Sequence, residues 1–220
     1  QGKCNWLYSS KLSLRFKTTV DFIEKSNNHN LKKILNNGIY LNDFFFIDSL
    51  YTTVQNLNKF LVNYEKSINQ FIGHGDLCFN NILVDQISGC IKLIDPKAHW
   101  NPQLKINGLI DPNYDLAKLN HSFKYLYDSI VNNLFSISFE KNNFYLYIYA
   151  PSEYRLVNNF FRELIIDENI DQKLLRVLTA NLFISMLPLH VDDENRMISF
   201  AILGTMAFNN LDLNQIIVQI

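Results

Sequence analysis

Gln70-Phe71-Ile72-Gly73-His74-Gly75-Asp76-Leu77-Cys78-Phe79-Asn80-Asn81-Ile82-Leu83-Val84, followed shortly by Cys90-Ile91-Lys92-Leu93-Ile94-Asp95, decides how this chain is read. Ile82–Val84 and Cys90–Ile94 are short, apolar and partly β-branched, and Ser88-Gly89 between them is a turn signal. Phe71-Ile72 leads into a glycine-bearing loop. The segment therefore predicts strand, loop, strand, turn, strand, with Asp95 at the far strand end. The loop carries the spacing H-x-D-x-x-x-x-N in His74, Asp76 and Asn81.

Such a loop suits phosphoryl transfer, which depends on positioning and charge neutralisation more than on covalent chemistry. An aspartate orients a substrate hydroxyl and accepts its proton, while an amide oxygen and a second carboxylate are hard ligands for Mg²⁺. Asp76, Asn81 and Asp95 fit those roles in that order. Three other readings stand beside it. His74 and Asp76 are ordinary turn and capping residues in the plainest one. As a phosphoesterase metal pair they lack a nearby third ligand, because His99 and His121 stand apart. A carboxylate pair for glycoside hydrolysis can be imagined but not placed.

Outward from the loop, seven glycines and five prolines in 220 residues favour long regular elements. Residues 11–25 carry a helical stripe of Leu12, Leu14, Phe16, Val20, Phe22 and Ile23. Residues 31–35 form a shorter helix closed by Asn36-Asn37-Gly38, and Asp48 caps a helix over 50–64 that turns Val54, Leu57, Leu61 and Val62 inward. Phe44-Phe45-Phe46 reads as a core anchor. Residues 96–112 read as irregular, and Leu116, Leu119, Phe123 and Leu126 mark the next helix. A β-hairpin spans 135–149 about the turn Glu140–Asn143, with its aromatic run packed inward. Helices then run from Pro151 to about Ile165, over 172–186 and over 193–208. The prediction is α+β: one mostly helical domain with short β-hairpins around the loop.

Composition narrows the classes. Hydrophobic residues make up 48% of the chain, enough for a substantial core. The formal net charge of -1 argues against a dedicated nucleic-acid binder. No apolar run is long enough for a transmembrane helix, and no signal peptide is apparent. Cys4, Cys78 and Cys90 form neither a disulfide framework nor a CxxC motif, which fits a reducing, cytoplasmic setting.

HGDLCFNNILV at 74–84 followed by KLID at 92–95 resembles the aminoglycoside phosphotransferase and choline kinase group, small-molecule kinases with a protein-kinase-like fold. Asp111-Pro112-Asn113-Tyr114-Asp115-Leu116-Ala117 is similar to the DPxxDLA segment that opens a helix after the metal site in that group. The resemblance covers about residues 70–126, and more loosely the flanking helices. It implies ATP and Mg²⁺ as cofactors, Asp76 as catalytic base with His74 orienting its loop, and Asn81 and Asp95 as metal ligands. It implies a structural Asp115 tying loop to helix, a role that coexists with that of a helix N-terminal carboxylate.

The chain departs from the pattern at three points. Asp95-Pro96-Lys97 replaces a DFG or DFE type, so Lys97 either touches a nucleotide phosphate or is solvated. Cys78-Phe79 replaces His-Pro, which leans away from a resistance enzyme and toward a metabolic or surface-glycan kinase. No glycine-rich phosphate loop or strand lysine precedes His74, where the residues read as helices. The expectation is a kinase-like C-terminal lobe without its N-terminal ATP-binding lobe, weak or inactive alone.

Between the last two helices, Ser185-Met186-Leu187-Pro188-Leu189-His190 followed by acids resembles a stretch in capsule-associated bacterial members of the group. His190 and Asp192 are substrate-pocket candidates on that ground. The alternative makes Asp192 or Asp193 an N-cap, with His190 on a plain loop. Two functions compete: an ATP-dependent phosphotransferase acting on a hydroxyl of a small metabolite (a sugar, aminoalcohol or glycan precursor), and a kinase-like binding or regulatory module without transfer chemistry.

Overall fold

The computed structural model describes residues 8–65, 71–97, 99–101 and 106–220. Cys4 lies outside them. Helix α7 (Gln172–Met186) is the centre of the fold, with Leu178, Ala180, Phe183 and Ile184 wholly buried. It packs most extensively on α8 (Glu194–Asn209), whose residues from Met197 to Ala207 are all buried. A helix apolar all round belongs inside. Around the pair lie α1 (Tyr8–Lys25), α2 (His29–Asn36), α3 (Leu50–Tyr64) and α4 (Pro112–Phe123). The short α5 (Tyr127–Val131) and α6 (Tyr154–Asp167) complete the helices. No helix among the described residues is long and apolar enough to cross a membrane.

The close approach of α7 and α8 rests on Gly204. A Cβ there would stand 2.9 Å from Ile184 Cγ1 and 3.2 Å from Phe183 Cβ. Gly204→Val is expected to cost about 1–3 kcal/mol by overpacking. Urea unfolding will show this as a lower midpoint at unchanged slope.

Three sheets accompany the helices. Strands β8 (Phe135–Glu140) and β9 (Asn143–Ala150) form the expected antiparallel hairpin, with Phe144, Leu146 and Ile148 buried on one face. The other edge of β9 takes β1 (Ile39–Leu41) in parallel at one end and β10 (Ile217–Gln219) in parallel at the other. Asn42 spans the gap between them: its side chain accepts from Leu146 N–H at 2.9 Å and donates to the Leu146 and Gln215 carbonyls. Strand β2 (Phe45–Ile47) completes this sheet against β1. Next to the loop, β3 (Phe71–Ile72) pairs with β7 (Ile106–Ile110), which pairs with β6 (His99–Asn101). The loop itself leads into the hairpin of β4 (Ile82–Val84) and β5 (Ile91–Leu93).

Several local expectations are corrected. Residues 96–112 are not wholly irregular, since β6 and β7 lie within them. The residues before His74 are not all helical, because β1 and β2 join the sheet of β9. Phe44 and Phe46 are exposed, because alternation along β2 turns Ile47 inward instead. Ser49, not Asp48, caps α3, its Oγ accepting from Thr52 N–H. Val62 and Leu14 face solvent. Asn37 ends α2 in an extended conformation, and Gly38 is small because a Cβ there would meet the Phe46 ring. Helix α4 ends at Phe123, and Leu126 lies past it in the left-handed region.

Candidate active site around Asp76

Asp111 caps α4 by accepting from Asn113 N–H, with Pro112 at the first helical position. Its other carboxylate oxygen accepts from Tyr8 and Tyr64, so one side chain ties α1 and α3 to the start of α4. One turn on, Asp115 reaches back to the loop. It accepts from His74 N–H at 2.6 Å and Gly75 N–H at 2.8 Å, one bond to each oxygen. Gly73 leaves room for this, because a Cβ there would stand 2.4 Å from Ile110 and 2.8 Å from Asp115 Oδ2. Gly75 has φ +82, a backbone that favours glycine.

His74 knots the loop to the residues after β5. Its Nε2 lies 2.8 Å from the Ile94 carbonyl, which only accepts, so Nε2 carries the hydrogen. Its Nδ1 then accepts from Asp76 N–H at 3.2 Å, and its own carbonyl accepts from Lys97 N–H. Asn81 donates its side-chain amide to the Asp76 carbonyl at 2.8 Å and accepts Ile94 N–H on its backbone. His74, Asp76, Asn81, Asp95, Lys97 and Asp115 therefore belong to one network. His74 is a positioning residue whose ring holds the backbone of Asp76.

The Asp76 carboxylate sits between two ammonium groups. Lys118, buried on α4, lies 2.9 Å from Oδ1, and Lys97 lies 2.7 Å from Oδ2. Burial pushes the Asp76 carboxyl up, but Lys118 and Lys97 together outweigh it and hold the group below the ordinary carboxylate range. Lys97 also lies 3.2 Å from Asp95 Oδ2, and its hydrogen bond to Asp76 outweighs burial to raise its own pKa. Asp95 is exposed and has φ +54, a left-handed backbone that turns its carboxylate toward Lys97.

Asp76 opens into a cleft of about 520 Å³. Lys11 and Arg15 of α1, Lys97 and Lys118 line it, with Met186, Leu189 and His190 among its other residues. Four basic side chains and the Asp76 carboxylate thus line it, with Lys97 shared between Asp76 and Asp95. Burial, followed by the charges of Arg15 and Lys118, pushes Lys11 down to about 8. Arg15 donates to the Ser185 carbonyl at 2.9 Å. His190 stands edge-on to Phe200, held below the ordinary histidine value by burial and then by Arg196. Asp192 is not among the described residues lining the cleft; it is exposed, 4.0 Å from Arg196. Asp193 is the cap of α8, accepting from Arg196 N–H.

An amide oxygen and a carboxylate are hard donors of the kind Mg²⁺ takes. Asn81 Oδ1 has no hydrogen-bond donor among the described residues, and the backbone bond from Ile94 to Asn81 brings Asp95 alongside. Asn81 supplies the amide oxygen and Asp95 the carboxylate, which the exposed Lys97 holds at 3.2 Å. Among the described residues no group of three or more His, Cys, Asp or Glu that could hold a metal ion gathers, at this site or away from it. Cys78 lines the cleft, but burial raises its thiol, which leaves it a poor nucleophile.

Sequence reasoning missed Lys118, Lys11 and Arg15. Lys118 was legible as the residue one turn beyond Asp115, a spacing that puts both on one helix face. Lys11 and Arg15 share a face of α1 but carry no motif. No family model matches the chain, and neither a curated protein nor a solved structure does.

Proposed function

We propose that this chain carries the transfer chemistry of an ATP-dependent phosphotransferase whose acceptor is a hydroxyl of an anionic small metabolite. The observation that carries this reading is the Asp76 carboxylate, fixed at the floor of a cleft by a loop that Asp115, His74 and Asn81 hold at its backbone. Mg²⁺-bound ATP would supply the phosphoryl group, its terminal P–O bond breaking as the acceptor oxygen bonds to phosphorus and ADP leaves. Asp76 orients the acceptor hydroxyl and takes its proton. Asn81 and Asp95 would hold the metal. Lys118 stays on Asp76 Oδ1, keeping the carboxylate ionised and aimed, while Lys97 is placed to swing from Asp95 toward developing charge on the phosphoryl oxygens.

The cleft chooses among acceptors. Arg15, added to the two lysines at Asp76, disfavours an aminoalcohol or aminosugar cation and favours a sugar acid, a phosphorylated sugar or an acidic glycan precursor. The same reading requires a nucleotide-binding lobe to cover the β4–β5 hairpin, where Leu83, Val84, Ile91 and Leu93 stand exposed. ADP formation, followed with a panel of anionic and cationic hydroxyl compounds, tests the proposal. Acceptor-dependent ADP with the anionic set supports it, and ADP formation only with the cationic set refutes the acceptor class.

A second reading, a binding module without transfer, is favoured by Lys97, whose ammonium bridges Asp76 and Asp95 where a metal would sit. Lys97→Met separates the two in a thermal titration with Mg²⁺-ATP. The enzyme reading expects weaker nucleotide binding, because a phosphate contact is lost. Tighter binding would mean that Lys97 blocks the site.

A further inference from the structure

On the other face of α4 from Lys118 lies a larger cavity of about 580 Å³, walled by α4, α6, the start of α7 and the segment after α8. Four cationic side chains line it: Lys124 from the end of α4, Arg155 and Arg162 from α6, and Arg176 from α7. None of the ion pairs among the described residues involves them. The one acid in the wall, Asp212, has both carboxylate oxygens engaged by Asn214, one by its N–H and one by its side-chain amide.

Gathering four like charges from three helices around a single carboxylate costs stability, and natural chains keep such an arrangement where a ligand supplies the missing charge. Lys124 shows the cost. Burial, then Arg176 and Arg162, hold its ammonium below the ordinary lysine value against the pull of Asp212. One carboxylate would not balance four cations. A phosphate dianion matches them better, since its oxygens take planar guanidinium forks in pairs. Asn158 and Asn159 line the same wall with carboxamides that bond to no described residue, donors and acceptors suited to hydroxyl groups. Phe161 and Leu213 give the cavity an apolar floor of the kind small-molecule sites have.

We infer that this cavity binds a phosphate-bearing, hydroxylated small molecule of the sugar-phosphate class, gripped by Lys124, Arg155, Arg162 and Arg176. The site is separate from the Asp76 cleft and independent of the transfer chemistry proposed there.

Thermal unfolding of the full chain in inorganic phosphate, against sodium chloride at matched ionic strength, tests this. Phosphate about tenfold above its dissociation constant should raise the melting temperature by about 3–5 °C. The rise should shrink far more in the double variant Arg162→Met, Arg176→Met than in Arg15→Met, which removes a cation of the Asp76 cleft. Arg155→Met and Arg162→Met, both at exposed positions, serve singly if the double variant does not fold, and each should reduce the rise. No rise beyond chloride overturns the inference. So does a rise lost in Arg15→Met and kept in the α6 variants, which would place the phosphate in the Asp76 cleft.

Discussion

If the proposed phosphotransferase reading holds, Asp76→Asn should lower phosphoryl transfer by about a thousandfold, the scale expected when a positioned general base is removed. Asparagine keeps the shape of the side chain and an oxygen for Lys118, but it takes no proton from an acceptor. The same change removes the carboxylate between Lys118 and Lys97, so the melting temperature falls as well. Rates must therefore be compared at a temperature where circular dichroism shows both chains folded. Acid unfolding supplies a second readout. Because the folded-state pKa of Asp76 lies below its ordinary value, the unfolded chain binds the proton more tightly. The stability owed to this ionisation is fully present above the ordinary carboxylate pKa of 3.8 and is lost as the pH falls through the lower folded value. Asp76→Asn should lack that part of the acid limb. Transfer that survives the substitution would remove Asp76 as base, and an unaltered acid limb would remove its ion pairs.

How much of this was legible in the sequence depends on the distance over which each signal acts. The loop and the β4–β5 hairpin were readable because their signals are local: glycines at the turns, apolar runs of three to five residues, and a carboxylate at a strand end. The bounds of α7 matched because Asp171 caps it and Pro188 follows its end. The sheet around β9 was not readable. Its strands β1, β2 and β10 are three residues each, and what holds β1 and β10 to one edge is Asn42, some hundred positions from Leu146. Phe44 and Phe46 misled for a related reason, since three aromatics in a row say nothing about which face a strand will bury. The site divides the same way. His74, Asp76, Asn81 and Asp95 follow one another at motif spacing, whereas Lys11 and Arg15 reach the cleft only because Asp111 anchors α1 beside α4 through Tyr8.

Asp115→Ala should be the most damaging change outside the cleft. Asp115 holds two backbone N–H groups, those of His74 and Gly75, each in a charge-assisted bond that hydrophobic packing cannot replace. Losing both costs about 3 kcal/mol, taking about 1.5 kcal/mol for each bond to a charged acceptor. For a domain of this size that is a fall of roughly 10 °C in melting temperature. The consequence for chemistry comes through the backbone. Freed from Asp115, His74 no longer fixes the Asp76 N–H, and Asp76 loses its aim at the cleft. Activity should therefore fall even where the chain remains folded, through kcat rather than KM. Asp115→Asn makes the reason visible, because its remaining oxygen keeps one of the two bonds while its amide nitrogen faces a donor. It should fall between wild type and Asp115→Ala in both stability and rate. If Asp115→Asn and Asp115→Ala melt with the wild type, the tether is not what holds the loop. If they melt lower but turn over at the wild-type rate when folded, Asp115 supports only the helix, and the aim of Asp76 is set by His74 and Asn81 alone.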